Sequence, residues 1–209
     1  MIFETYKKMF QVLKPSNVEK FSKKEKGTIK GGITVYFLSW VVWSILTLAG
    51  FYFGGNVVTD SMETVAGFVG LGGLIGLMAY LAYVLLSGII LQYLYAYLMG
   101  FCATKFLGGK GKFEQLFYMI MLIGAGFAII QGLLQFISII SVALYYISLF
   151  FSIYIYYLMI VAIRKTYEIS TGKAIVSLIA GYVLSTLVVV AVGLVVLVMA
   201  WAFGAIGGA

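Results

Sequence analysis

The sequence predicts an all-α protein, a polytopic bundle of five transmembrane helices with the N-terminus in the cytoplasm and the C-terminus outside. Three observations lead there. Hydrophobic residues make up 63% of the chain and charged residues 10%, far below the quarter usual in soluble domains. The uncharged stretches 31–59, 64–104, 115–163 and 174–209 all exceed the roughly 20 residues that cross a hydrocarbon core as helix. All fourteen basic residues fall outside those stretches, in three clusters.

The chain opens with a basic arm, 1–32, which carries Lys7, Lys8, Lys14, Lys20, Lys23, Lys24, Lys26 and Lys30. No apolar run precedes Gly31, so no cleavable signal peptide is expected, and the first span is read as an uncleaved signal anchor. Phe3, Tyr6, Phe10 and Leu13 recur at steps of three and four, one apolar helical face with Lys7, Lys8 and Lys14 away from its centre. Pro15 ends that helix, and Ser16 to Glu19 has capping-box spacing for a second short helix through Lys26. An amphipathic basic segment beside a span is expected in the membrane interface, where anionic headgroups attract each Lys by about 1 kcal/mol. A helix docked under the bundle is the alternative.

The membrane domain, 33–209, begins with a span over 33–54. The stretch 64–104 is 41 residues, about 60 Å as one helix and twice the core. Two crossings there would put Lys105, Lys110 and Lys112 on the side of Asp60 and Glu63, so one span is placed at 79–104. The glycine-rich remainder, 64–78, holds five glycines from Gly67 to Gly76. It reads as an interfacial, re-entrant or broken segment lining a cavity, or as backbone packed closely on a neighbour.

After the turn come spans at 114–136 and 141–163, divided at Ile137 to Ser141 because 49 uncharged residues are too many for one crossing. Arg164, Lys165 and Lys173 follow, and a Val-rich fifth span covers 174–203, with Gly181 and Ser185 spaced for close helix contact. With the N-terminus inside, all three basic segments are cytoplasmic, and the outer loops hold only Asp60 and Glu63. That is the positive-inside pattern.

The inventory excludes several chemistries. There is no His and one Cys, Cys102, so imidazole or thiolate metal sites, disulfides and His-dependent triads are ruled out, and no cofactor is expected. Glu114 stands at the mouth of the third span; deeper in, no span carries Asp, Glu, Lys, Arg or His. A proton relay at depth and an intramembrane carboxylate dyad both need such groups. The expectation is therefore not an enzyme. Nucleic acid is excluded as a partner because no base-stacking or groove-reading module is present. The remaining candidates are the basic side chains Lys7, Lys8, Lys14, Lys105, Lys110, Lys112, Arg164, Lys165 and Lys173, facing anionic headgroups, an unidentified protein partner or a second copy. A polar passage lined by Gln92, Gln131 and Gln135 with the tyrosines of spans two and four is the second reading; the packing alternative is that these groups hydrogen-bond between helices.

The run "FLGGKGKF" (106–113) lacks the G-x-x-x-x-G-K-[ST] order of a phosphate loop. It reads as a tight turn, with Gly108 and Gly109 capping one helix and Glu114 suiting the positive end of the next.

Three stretches in order carry a family resemblance: "VLKPSNVEKF" (12–21), "FLGGKGKFEQLF" (106–117) and "YLMIVAIRKTYEISTGKAI" (157–175). They resemble the Yip (Ypt-interacting protein) family of five-span membrane proteins. That resemblance implies a non-enzymatic interaction or membrane-organising scaffold, linked in eukaryotic members to prenylated Rab/Ypt GTPases and vesicle traffic. This chain departs from relatives in having Gly124-Ala125-Gly126 where they often carry proline, and an arm too short to argue for a GTPase partner. The composition suits a prokaryotic, archaeal or bacterial member, which would place it in the cell membrane.

Overall fold

In hydrocarbon every backbone amide needs a partner within its own segment, so long apolar runs become helices. The computed structural model describes residues 2–24, 27–54, 74–138 and 142–207, and among these it has seven helices and no strand. They are α1 (Ile2–Gln11), α2 (Pro15–Lys24), α3 (Ile29–Gly54), α4 (Leu74–Lys105), α5 (Phe113–Ser138), α6 (Val142–Tyr167) and α7 (Thr171–Gly207).

Helix starts follow local chemistry. Thr28 caps α3, its Oγ1 accepting from the Gly31 amide at 3.0 Å. Ser170 does the same for α7, accepting from the Lys173 amide at 3.4 Å. Pro15 begins α2 at the first helical position, where its missing amide hydrogen costs nothing. The expected capping box is not formed, because α2 already begins at Pro15 and Ser16 lies inside it; Glu19 pairs with cations on α6.

Among the described residues, four helices are long and apolar enough to cross a membrane: within α3 (Ile29–Leu46), α4 (Met78–Lys105), α5 (Phe113–Leu134) and α7 (Thr171–Met199). α6 is as long as α3 and α5, but its second half carries Tyr154, Tyr156, Tyr157, Arg164 and Lys165 and is less apolar. The expected spans at 33–54, 79–104, 114–136, 141–163 and 174–203 each coincide with one long helix. Of the glycine-rich stretch, 74–78 forms the start of α4, and 64–73 lies outside the described residues, as do Asp60, Glu63 and Ala209.

α5 is the axis of the bundle, packed by α3, α6, α4 and both arm helices. α3 runs parallel to it: Gly32 lies over Phe117 and Met121 near one end, and Gly132 over Trp43 and Leu46 towards the other. α4 returns antiparallel, with Gly88 beside Tyr36 and Gly100 beside Leu116. On α7, Ser177 Oγ donates to the Met99 carbonyl at 2.7 Å, and Gly181 and Ser185 are buried, as their spacing predicts. Beyond Ser185 every residue to Met199 is exposed.

The arm is not laid on a surface. Met9, Val12 and Val18 are fully buried against the bundle, so the docked alternative describes it. Its buried face is also turned from the expected stripe. Tyr6 and Leu13 are part-buried and pack on the core, whereas Phe3 is 83% and Phe10 46% exposed. Compact Met and Val fit against helix backbone where Phe does not.

Candidate functional site

Two chain reversals meet at one end of the bundle. α4 ends at Lys105, and Gly108 takes a left-handed φ of 74°, which lets the Gly109 amide reach back to the Ala103 carbonyl at 2.8 Å. α6 ends with Glu168 also left-handed, at φ 54°, and the Ile169 amide donating to the Arg164 carbonyl at 3.2 Å, a Schellman closure.

The two reversals are joined. The Lys110 amide donates to the Tyr167 carbonyl at 3.1 Å, and Lys173 Nζ donates to the Leu107 carbonyl at 2.9 Å. Gly111 lies so close to the Thr166 carbonyl that a Cβ there would collide with backbone. Arg164 Nη1 donates to Thr171 Oγ1 at 3.3 Å. Beneath the junction Tyr167 is 1% exposed, and burial pushes its phenol up to about 12, so it packs as a neutral hydroxyl. The glycine–lysine run is therefore a fixed edge of a platform. Lys105, Lys110, Lys112 and Lys173 stand exposed on it. Phe106 is exposed too, edge-on to Phe101 at 5.7 Å.

The arm is latched to the same end. Glu19 Oε1 accepts from Arg164 Nη2 at 2.8 Å and from Lys165 Nζ at 2.9 Å. The hydrogen bond and charge of Lys165, with the charge of Arg164, outweigh the opposing effect of desolvation and hold the Glu19 carboxyl below its ordinary range. Gln115 on α5 clasps both sides of the α2–α3 junction, its Nε2 donating to the Phe21 carbonyl at 3.3 Å and its Oε1 accepting from the Gly27 amide at 2.6 Å. Farther along, Tyr154 Oη donates to the Leu13 carbonyl at 2.6 Å and Tyr6 Oη to the Leu38 carbonyl at 3.0 Å. The Met9 carbonyl rests on Gly126 of α5, an approach only glycine permits.

Of the residues singled out by sequence, the structure gathers Lys105, Lys110, Lys112, Arg164, Lys165 and Lys173 at one end. It sets Lys7 and Lys14 apart, exposed on the arm, with Lys8 part-exposed. Gln92 and Gln131 are each part-buried with no hydrogen bond between them among the described residues, and the Gln135 side chain lies outside the described residues. The tyrosines pack on one another instead: Tyr182 has its ring 5.0 Å from Tyr95 and 5.7 Å from Tyr156, with its hydroxyl 3.5 Å from Met159 Sδ.

The sequence reading did not give Glu19, Gln115 or Gly126 their part in holding the arm. Glu19 alone carried a signal, since few carboxylates stand among so many lysines. No group of His, Cys, Asp or Glu among the described residues forms a metal cluster. No protein-family model, characterised protein or solved structure matches this chain.

Proposed function

We propose that this is a non-enzymatic, membrane-organising scaffold of Yip type, with five spans, its basic platform and arm on the cytoplasmic side and its C-terminus outside. The observation that carries the reading is the platform: two short reversals fixed to each other by the Lys110–Tyr167 backbone hydrogen bond and by Lys173 on the Leu107 carbonyl, presenting four exposed lysines in one place. Such a surface suits anionic headgroups or an acidic partner, and its fixed backbone suits recognition without a conformational cost. The three family-like motifs support it further, because two of them build the platform and the third builds the arm. In a prokaryote the membrane would be the cell membrane, and membrane trafficking or remodelling is the process the resemblance suggests.

A neutral-solute facilitator is the second reading. It is favoured by Trp40 Nε1 and Ser44 Oγ, one turn apart on α3, both buried and without a hydrogen-bond partner. Flux decides between them. Liposomes holding the purified protein should be as tight to ions and small neutral solutes as protein-free ones. A saturable flux that falls on Gln92→Leu or Gln131→Leu establishes the facilitator instead.

A further inference from the structure

The docked arm reaches well past the platform. Met9 lies on Gly126, thirteen positions into α5 from Phe113, about 20 Å along the helix. Leu13 is bonded to Tyr154, ten positions before Arg164, or about 15 Å. Tyr6 is bonded to Leu38, nine positions past Ile29, or about 14 Å. Three separate helices thus give one answer: α1 and the turn after it meet α3, α5 and α6 about 14 to 20 Å in from the platform end, and α2 climbs back to Arg164. Yet the outward face of this hairpin is polar. Glu4, Lys7 and Gln11 recur at steps of three and four, and Lys14 continues the line through the turn, all exposed. No salt bridge holds Lys7 or Lys14 among the described residues, and Glu19 is engaged by Arg164 and Lys165.

Ammonium groups facing acyl chains at that depth are costly, and a bilayer relieves the cost by local thinning that brings headgroups and water to them. Phe3 and Phe10, exposed beside the stripe, offer acyl chains an aromatic flank. We propose that the Lys7–Lys14 face of the docked arm is a furrow that binds anionic phospholipid headgroups below the headgroup plane, thinning the leaflet on the platform side. Glu4, one turn from Lys7, repels a phosphate, so the anion's place is between Lys7 and Lys14. The inference rests on the reading that the bundle spans a bilayer with its basic end at one surface.

Spin-labelled phosphatidylglycerol and phosphatidylcholine, compared for association with the full protein in phosphatidylcholine vesicles, test it. Phosphatidylglycerol should be favoured about fivefold or more, the equivalent of one basic side chain near an anionic lipid. The K7Q/K14Q double variant should lose the larger share of that preference, and K110Q/K112Q the smaller. The reverse pattern would overturn the furrow and leave the platform reading intact; no selectivity in the unaltered protein would overturn both. A nitroxide on Ser16→Cys should report a position deeper than one on Lys110→Cys, and equal depths would sink the furrow whatever the lipid ratio.

Discussion

Leu116 to Ile123 in α5 and Leu187 to Met199 in α7 are both unbroken apolar runs, yet every residue of the first is buried and every residue of the second is exposed. In water that contrast would be untenable. In a bilayer the surroundings are as apolar as the side chains, so hydrophobicity gives no reason for helices to associate, and shape and hydrogen bonds decide. α7 illustrates the rule within itself. Its docked part offers Ser177, Gly181 and Ser185 to α4 and α5's neighbours, while its exposed part is mostly valine, and Gly193 there has no neighbour within 4 Å. α5, by contrast, is met on all sides because glycines on α3 and its own Gly126 let other backbones close in.

The sharpest way to break this comparison is to remove the same side chain from both regions. Leu122→Ala should cost about 2 to 4 kcal/mol, as buried leucines do, and Leu194→Ala about 0.5 kcal/mol or less, both read by reversible unfolding in mixed micelles. Equal losses would mean that the exposed half of α7 has a partner of its own.

A second change separates the arm from the bundle. Gly126→Leu sets side-chain atoms against the Met9 carbonyl and should cost about 1 to 3 kcal/mol, as overpacking does. Trypsin should then cut at Lys20 at least about tenfold faster, the factor that 1.4 kcal/mol of undocking corresponds to. An unchanged rate would show that the close approach does not hold the arm.

The Glu19 latch gives a smaller effect, with a definite sign. Its carboxyl titrates below the ordinary 4.5 in the folded protein, so its stabilisation is complete at neutral pH and above. That contribution is lost only as pH falls through the lowered value. Arm protection should therefore be flat from pH 8 to 5, fall in stronger acid, and in Glu19→Gln be weaker and independent of pH. High salt should imitate the variant in part, since the pair is partly exposed.

Smallest is Glu168→Gly. Its left-handed φ of 54° is costly for any side chain, so glycine should stabilise the platform end by about 1 kcal/mol or less. Separately, cysteine labelling at Asp60→Cys and Lys110→Cys from opposite membrane sides would sharpen the five-span reading, and labelling of both from the same side would refute it.

The long helices were legible because charge punctuates them. Lys105 and Lys112, Arg164 and Lys173 stand within a few residues of the helix ends, and Gly108 sits at the turn its freedom predicts. The arm's rotation was not legible, and the reason is physical. Phe3 and Phe10 are as hydrophobic as Met9 and Val12, but beside a bilayer an apolar face can meet lipid as readily as protein. What chooses between them is a space on α5 at Gly126, far away in sequence. Glu19 had a local rival reading: its spacing from Ser16 suits a capping box, but α2 starts at Pro15, and the partners that Glu19 takes, Arg164 and Lys165, are far away in sequence.

The hydrogen bond from Tyr154 to Leu13 joins residues 141 positions apart, and it has a consequence in time. At about 5 to 20 residues per second of synthesis, the arm is finished about 6 to 26 s before Tyr154 exists. The first part of the protein to be made is thus among the last to find its place. Until then the arm lacks the Tyr154 and Gly126 partners that hold it, and its apolar stripe is free to meet a membrane surface. Docking then buries Met9, Val12 and Val18 and leaves Phe3 and Phe10 exposed.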